Sequence, residues 1–165
     1  MNLTFERLRE VLSYEPDTGL FRWKIRNGPR IKVGDIAGSK DRKGYIRIQV
    51  DRKIYGANRL AWLYTYGELS DMQIDHINNI KDDNRVNNLR LATNRQNRQN
   101  SSGWSKSVSG RKGVYPSPGT NRWQAIIGLP SGIQRLGVFE TKEEAAEAYN
   151  IAAKANFGEF ARMSI

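Results

Sequence analysis

The chain has 165 residues, a formal charge of +10 at neutral pH and no cysteine. The lack of cysteine excludes disulfides and thiolate zinc sites, and no run of 18 apolar residues exists that could cross a membrane. The sequences before and after residue 100 are both positively charged, which favours a polyanionic partner, most often nucleic acid. A basic protein without such a partner is the alternative. Since the start of the chain lacks a signal-peptide apolar stretch, we expect a cytoplasmic protein.

The first 25 residues predict a helix followed by a strand. Thr4 is a suitable N-cap, and the residues behind it have helical spacing on one apolar face. These residues are Phe5, Leu8, Val11 and Leu12. After the turn sequence YEPDTG, alternation in LFRWKI predicts a strand over residues 20–25.

The next part of the chain predicts a β-hairpin and a second helix. The segments GYIRIQV and KIYGANRL alternate, and the dipeptide Asp51-Arg52 joins them. In NRLAWLYTYG, the residues Leu60, Leu63 and Tyr64 share one helical face. Gly67 is expected to end that helix. Two further strands, MQIDHI and LRLAT, enclose a polar loop, and Asn94 is a plausible N-cap for a short helix after them.

The polar region between residues 73 and 97 contains His76, which is the only histidine of the chain. Asp75 is a hard oxygen ligand, and Asn88 and Asn97 supply amide carbonyls downstream. Together they can place a divalent cation beside an imidazole that titrates near neutral pH. In phosphodiester hydrolysis the metal polarises the phosphate while the imidazole removes a proton from water. A polar loop whose asparagines only form turns is the alternative.

Residues 100–110, NSSGWSKSVSG, are rich in serine and glycine and form the best linker candidate. Beyond them, three short strand-like segments precede a helix that starts near Thr141. Thr141 and Glu144 form a capping box. One face of this helix is lined by Ala145, Tyr149, Ala152 and Ala153.

The middle strand of this C-terminal part has two different faces. Alternation places Trp123, Ala125 and Ile127 on one face, which should meet the small side chains of the helix. The other face carries Arg122, Gln124 and Ile126. Arginine and glutamine on an outward face can reach phosphates or base edges. A solvated basic sheet face is the alternative.

The stretch IDHINNIKDDNRVNNLRLATNRQN resembles the phage-type group of the HNH endonucleases. YEPDTGLFRWK, GYIRIQV and NRLAWLYTYGE are similar to the N-terminal segments of that group. The resemblance covers roughly residues 10 to 100 and implies an α+β fold with a nuclease domain over residues 1–100. In that family a ββα-metal unit holds one divalent ion against the DNA backbone.

The resemblance also implies roles for individual residues. His76 resembles the general base, while Asp75 and Asn97 resemble the metal ligands. Asn88, which we include with the catalytic residues, resembles the asparagine that ties the loop together by backbone hydrogen bonds. With these oxygen ligands, we expect one Mg²⁺ or Mn²⁺ ion rather than zinc.

One position departs from the family pattern. Asn58 stands in NRLAW where the group normally has HRLAW, and an amide cannot hold a proton reversibly near pH 7. A DNA-binding protein without catalysis is therefore an alternative to an active nuclease. Arg59, the next residue, is a candidate DNA contact.

Residues 109–165 resemble the Apetala-type DNA-binding domain through KGVY, RWQAII and RLGVFETKEEAAEAYNIAAKANFGEFARMS. The resemblance implies a three-stranded antiparallel sheet packed on one helix, with residues 101–108 as the linker. It implies that the sheet enters the major groove of double-stranded DNA. The candidate contacts are Lys112, Tyr115, Arg122, Gln124 and Arg135. Because Gly128 and Ile126 depart from the plant pattern, we do not transfer the plant sequence preference.

These observations predict a metal-dependent DNA endonuclease whose C-terminal domain holds the DNA. The expected partner is double-stranded DNA, and we expect no association with a membrane. The sequence is compatible with a monomer or a dimer. An RNA-binding module is a further alternative that the charge permits, although the sequence has no recognisable aromatic stacking platform of the usual kind.

Overall fold

A computed structural model describes residues 3–100 and 108–164. Its contacts divide the chain into two compact units, Met1–Thr93 and Asn94–Ile165. The predicted linker, residues 101–108, lies outside the described residues except for its last position. In the described part of the chain, no helix is long and apolar enough to cross a membrane.

The elements of the first unit alternate between short strands and two helices. In chain order they are α1 (Phe5–Val11), β1 (Leu12–Glu15), β2 (Leu20–Trp23), β3 (Ser39–Lys40), β4 (Ile46–Val50), β5 (Lys53–Gly56), α2 (Ala57–Tyr66), β6 (Gln73–His76), a 3₁₀ turn (Val86–Asn88) and β7 (Leu89–Ala92). The strands form three antiparallel sheets, β1-β2, β3-β4-β5 and β6-β7. This mixed arrangement confirms the predicted α+β class.

Helix α1 begins as predicted but ends one residue early. The hydroxyl of Thr4 accepts a hydrogen bond from the backbone N–H of Arg7 at 3.2 Å, as an N-cap should. Leu12, which the helical spacing placed on this helix, instead opens β1 with extended backbone angles and pairs with Trp23. The ladder with β2 takes up its backbone groups, so the prediction for Leu12 was wrong in conformation although Leu12 is buried.

The predicted hairpin and the second helix are confirmed. Asp51 and Arg52 have φ angles of 47° and 66°, and positive φ at both central residues is the mark of a type I′ turn. The carboxylate of Asp51 accepts two hydrogen bonds from the Arg7 guanidinium, at 2.9 and 2.8 Å, which fixes this unusual turn against α1. Gly67 ends α2 in the left-handed conformation and donates its N–H to Leu63 O.

The hydrophobic core of the first unit packs against the hairpin β6-β7. Its largest fully buried side chains include Leu8, Phe21, Ile48 and Leu60. Each such side chain contributes about 2 kcal/mol by its removal from water. Ile74 of β6 belongs to the same core, and this contact anchors the strand that continues into Asp75 and His76.

The second unit consists of α3 (Asn94–Asn100), β8 (Val114–Pro116), β9 (Trp123–Leu129), β10 (Gly132–Phe139), α4 (Lys142–Phe157) and a 3₁₀ turn (Gly158–Phe160). The sheet order is β10-β9-β8, and all pairs are antiparallel. The helix α3 begins at Asn94 and contacts the 3₁₀ turn, which is why it groups with this unit and not with residues 1–93.

The predicted inner face of the C-terminal sheet is confirmed. Ala125 and Ile127 are fully buried against α4, where Ala145, Tyr149 and Ala153 are also buried. The capping box is present as well, since the Thr141 hydroxyl and the Glu144 carboxylate each accept the other's backbone N–H at 3.2 Å. Close packing requires glycine at residue 113, because a Cβ there would lie 2.0 Å from the ring of Tyr149.

Candidate active site

The hairpin β6-β7 carries the candidate catalytic residues. His76 lies opposite Leu89 and Asp75 lies opposite Arg90 in its antiparallel register. Successive side chains of a strand point to opposite faces, yet Ile74, Asp75 and His76 are all buried. Both faces of β6 are therefore covered, and the polar residues among them need internal partners.

His76 is only 4% exposed and contacts the side chain of Asn84. Its Nε2 lies 3.2 Å from Oδ1 of Asn84. The amide of Asn84 donates through Nδ2 to Asp82 O at 3.2 Å, which leaves Oδ1 as the atom that faces the imidazole. Since Oδ1 can only accept, Nε2 must carry the proton and Nδ1 is the basic nitrogen.

The surroundings of His76 keep the imidazole neutral. Burial lowers the pKa of His76 below its ordinary value of 6.5, because the charged form loses hydration. The hydrogen bond to Asn84 and the nearby aspartates act in the opposite direction but do not cancel the effect of burial. At pH 7 the side chain is therefore a neutral base.

Asn88 binds the loop that covers His76. Its Oδ1 accepts the backbone N–H of Asn78 at 3.0 Å, and its Nδ2 donates to Asp83 O at 2.9 Å. Both polar atoms of the side chain thus contact backbone groups of the loop between β6 and the 3₁₀ turn. This geometry is that of a positioning residue.

Asp75 forms a buried ion pair that the sequence analysis did not single out. Its Oδ2 accepts from Nε and Nη2 of Arg90 at 3.1 and 3.0 Å, and both side chains are at most 10% exposed. The signal was available, because opposite charges directly across a hairpin attract each other. A carboxylate has about four lone-pair sites, so the contact with Arg90 does not exhaust the acceptor capacity of Asp75.

The donor set suits a hard divalent cation. In the first unit Asp75 offers a carboxylate oxygen, and Mg²⁺ binds few protein ligands and keeps several waters. Asn97 lies on α3 in the second unit. Within residues 3–100 and 108–164, no group of three or more His, Asp or Glu side chains is arranged to hold a metal.

A cationic and aromatic group lies beside His76, and sequence reasoning missed it. The ring of Tyr45 is 6.0 Å from the imidazole, centroid to centroid. Lys81 Nζ lies 5.2 Å from the same ring and donates to Lys43 O at 2.9 Å. The guanidinium of Arg47 also lies over the ring, at 5.6 Å. Cations over the ring of Tyr45 and the carboxylates of Asp75, Asp82 and Asp83 thus both lie near the imidazole.

Asn58 and Arg59 make contacts inside the first unit. Asn58 Nδ2 donates to Ile74 O at 3.1 Å and so joins α2 to β6. An imidazole N–H can donate a similar bond, so the replacement of the expected histidine preserves a donor at this position. Arg59, a candidate DNA contact, directs Nη2 to Ser70 O at 3.4 Å.

The candidate DNA contacts of the second unit differ in exposure. Arg135 is exposed, Tyr115 is half-buried, and the Gln124 amide donates to Pro116 O at 3.1 Å. Arg122 is ion-paired with Glu140.

Lys112, which the sequence analysis names as a candidate DNA contact, is buried. Its ammonium donates to Gln99 O. Burial, with a smaller contribution from the nearby charge of Arg162, lowers the pKa of Lys112 to about 8. Charge patterns in the sequence do not reveal that α3 covers the start of β8.

A buried neutral imidazole beside a carboxylate on a β-hairpin defines a candidate hydrolytic site in an α+β protein. The family model described as HNH endonuclease matches residues 55–99, which include His76, Asp75, Asn88 and Asn97. An uncharacterized HNH endonuclease of Acanthamoeba polyphaga mimivirus is 38% identical over 94 residues. Residues 55–99 therefore match the HNH endonuclease family, as the first resemblance predicted.

The C-terminal part has different relatives. The AP2-like ethylene-responsive transcription factors CRL5 of Oryza sativa subsp. japonica and AIL5 of Arabidopsis thaliana are each 50% identical over 58 residues, which are 34% of this chain. The second predicted resemblance is thereby confirmed. The solved structure described as DNA binding and cleavage by the HNH homing endonuclease I-HmuI is 19% identical, with a TM-score of 0.47 over 89% of this chain and 82% of that one.

The matches cover only parts of these relatives. The mimivirus alignment spans 56% of this chain and 46% of the viral protein. The plant alignments span 9% and 10% of the two transcription factors.

Proposed function

We propose that this protein is a metal-dependent DNA endonuclease that hydrolyses phosphodiester bonds of double-stranded DNA. The observation that carries the proposal is the buried His76, whose Nε2 contacts Asn84 and whose neighbour in β6 is Asp75. A general base that works at neutral pH must be unprotonated there and must have a defined tautomer, and His76 meets both conditions. The HNH family match over this segment supports the same chemistry.

In the proposed reaction, Nδ1 of His76 removes a proton from the attacking water. Asn84 fixes the imidazole through Nε2, and Asn88 holds the covering loop in place. Asp75 and Asn97 would bind one Mg²⁺ or Mn²⁺ ion. When bound, that ion polarises the phosphate and stabilises the leaving oxygen. The products are a 5′-phosphate and a 3′-hydroxyl end, and one active site nicks one strand.

We propose that the second unit holds the DNA. It carries ten Lys and Arg residues against five Glu residues, and this excess favours a polyanion. The outer face of its sheet presents Arg135, Tyr115 and Gln124. Similarity to plant transcription factors supports this assignment for the C-terminal part.

A DNA-binding protein without catalysis is the second candidate, and Asn58 is the observation that favours it. A plasmid assay separates the two. Supercoiled plasmid incubated with the full chain should become relaxed in Mg²⁺ or Mn²⁺ but not in EDTA. A shift of the plasmid in a gel without relaxation in either metal would instead indicate a binding protein.

A further inference from the structure

The second unit contains a cleft that shares Tyr115 with the proposed DNA-binding face and extends beyond that face. Its volume is about 510 Å³, and it is lined by α3 on one side and by the sheet and two residues of α4, Tyr149 and Phe157, on the other. The charged residues of its lining are Arg95, Arg98 and Lys112, and no acidic residue lines it in the described part of the chain. The cleft is therefore suited to an anion.

Two arginines of α3 are available to such a ligand. Arg95 and Arg98 are both exposed, and their spacing of three residues places them on one face of the helix. Neither side chain makes a hydrogen bond or an ion pair within residues 3–100 and 108–164. By contrast, Arg111 and Arg122 of the same unit are paired with glutamates. The charges of Arg95 and Arg98 are thus not neutralised by carboxylates, whereas those of Arg111 and Arg122 are.

The sheet side of the cleft is apolar where it faces outward. Ile126 lies on the face opposite α4, because its neighbours Ala125 and Ile127 are the buried ones. Ile133 of β10 pairs with Gly128, which lies two residues after Ile126 in β9, and is 80% exposed. A ligand for this cleft must therefore present anionic and apolar groups side by side.

We propose that the cleft binds one strand of duplex DNA, with Arg95 and Arg98 on backbone phosphates and Ile126 and Ile133 against thymine methyl groups. The thymine methyl is the apolar group that the major groove exposes, and apolar side chains read it. The proposal rests on the proposed DNA partner but not on cleavage. It extends the binding surface from the sheet to α3 and gives the outer face a preference for thymine.

Salt dependence tests the phosphate contacts. The full chain and the variant Arg95→Gln/Arg98→Gln are titrated with a duplex in EDTA over a range of NaCl concentrations. Loss of two phosphate contacts should reduce the log–log slope by about 1.8. The matched control is Lys142→Gln/Lys154→Gln, which removes two exposed charges from α4, and its slope should change by less than half as much. An unchanged slope in the arginine variant would overturn the phosphate contacts.

Replacement of thymine by deoxyuridine tests the apolar contacts, since it removes only the methyl group. The wild type should bind a thymine duplex about fourfold more tightly for each methyl that it buries. Ile133→Ser, at an exposed position, should reduce this ratio without changing the salt slope. Equal affinity of the wild type for both duplexes would overturn methyl recognition. Displacement of DNA by polyglutamate at equal charge concentration would overturn a DNA site in favour of an acidic protein.

The proposed endonuclease is tested separately by plasmid relaxation. If the wild type relaxes plasmid but the arginine variant has an unchanged salt slope, DNA binding in the cleft is rejected and the proposed endonuclease is kept. A reduced slope without any relaxation by the wild type would support the cleft and reject the nuclease.

Discussion

Nε2 of His76 lies 3.2 Å from Oδ1 of Asn84, and both side chains are buried. This bond selects one tautomer of the imidazole and leaves Nδ1 as the base. The loop that supplies Asn84 is itself held by Asn88 and by Tyr14, whose hydroxyl donates to Asn84 O at 2.7 Å. The chemistry of one imidazole thus depends on the packing of a polar loop.

The tautomer can be observed directly, because His76 is the only histidine of the chain. A long-range ¹⁵N–¹H spectrum at pH 7.5 should show a protonated Nε2 and an unprotonated Nδ1. In Asn84→Ala the imidazole loses this acceptor, and we expect mixed tautomers and a nicking rate lower by on the order of tenfold to a hundredfold. A protonated Nδ1 in the wild type would contradict the assignment.

The ion pair of Arg90 with Asp75 should be worth more than an exposed pair. Arg90→Leu leaves a buried carboxylate without its partner, and we expect a loss of about 3–5 kcal/mol in the unfolding free energy of the first unit. The control is Arg85→Leu, because Arg85 pairs with Asp83 from a half-exposed position. That change should cost much less, because water screens an exposed ion pair. Equal costs in urea denaturation would show that Asp75 is solvated.

Asn58 already supplies the hydrogen bond to Ile74 O that joins α2 to β6. If residue 58 acts mainly by donating this hydrogen bond, Asn58→His should change the nicking rate by less than about threefold. Asn58→Ala should cost about 1 kcal/mol of stability, because Ile74 O loses its donor. A rise in nicking of tenfold or more in Asn58→His would instead show that a titratable group is needed there.

Lys112 should make the stability of the second unit depend on pH. Its pKa is about 8 in the folded chain and 10.5 in the unfolded chain, so between these values the unfolded state binds the extra proton. The unfolding free energy should therefore rise from pH 8 to pH 10.5, by at most about 3 kcal/mol, and be independent of Lys112 below pH 8. Tyr149, whose pKa is raised to about 12 by burial, acts in the opposite sense only above pH 10.

Lys112→Met should lack this rise. The measurement is chemical denaturation of both proteins at intervals of half a pH unit. Parallel curves from pH 8 to pH 10.5 would mean that the ammonium of Lys112 is hydrated in solution.

Local signals in the sequence predicted the elements with strong caps and turns. The Thr141 capping box, the Asp51-Arg52 turn and the Gly67 stop all act through neighbouring residues, so they can be recognised without the tertiary structure. Strands β1 and β3 were not predicted. Strand β1 follows α1 without a turn, and β3 has only two residues, so neither leaves a periodic pattern of its own.

The site was predictable in its residue types but not in its internal partners. Motif spacing singled out His76, yet the acceptor on its Nε2 depends on the conformation of a loop eight residues away. Arg90 could have been inferred from the hairpin register opposite Asp75. The burial of Lys112 could not, because it depends on a contact with α3 that no local pattern encodes.

The central claim is that His76 acts in the chemical step and not in DNA binding. The most direct measurement compares single-turnover nicking and duplex affinity of the wild type and His76→Ala, with nicking in Mg²⁺ and affinity in EDTA. The account predicts a nicking rate lower by on the order of 10²–10⁴ and an affinity within about twofold of the wild type. A parallel loss of affinity and nicking, or a variant that nicks as fast as the wild type, would contradict it.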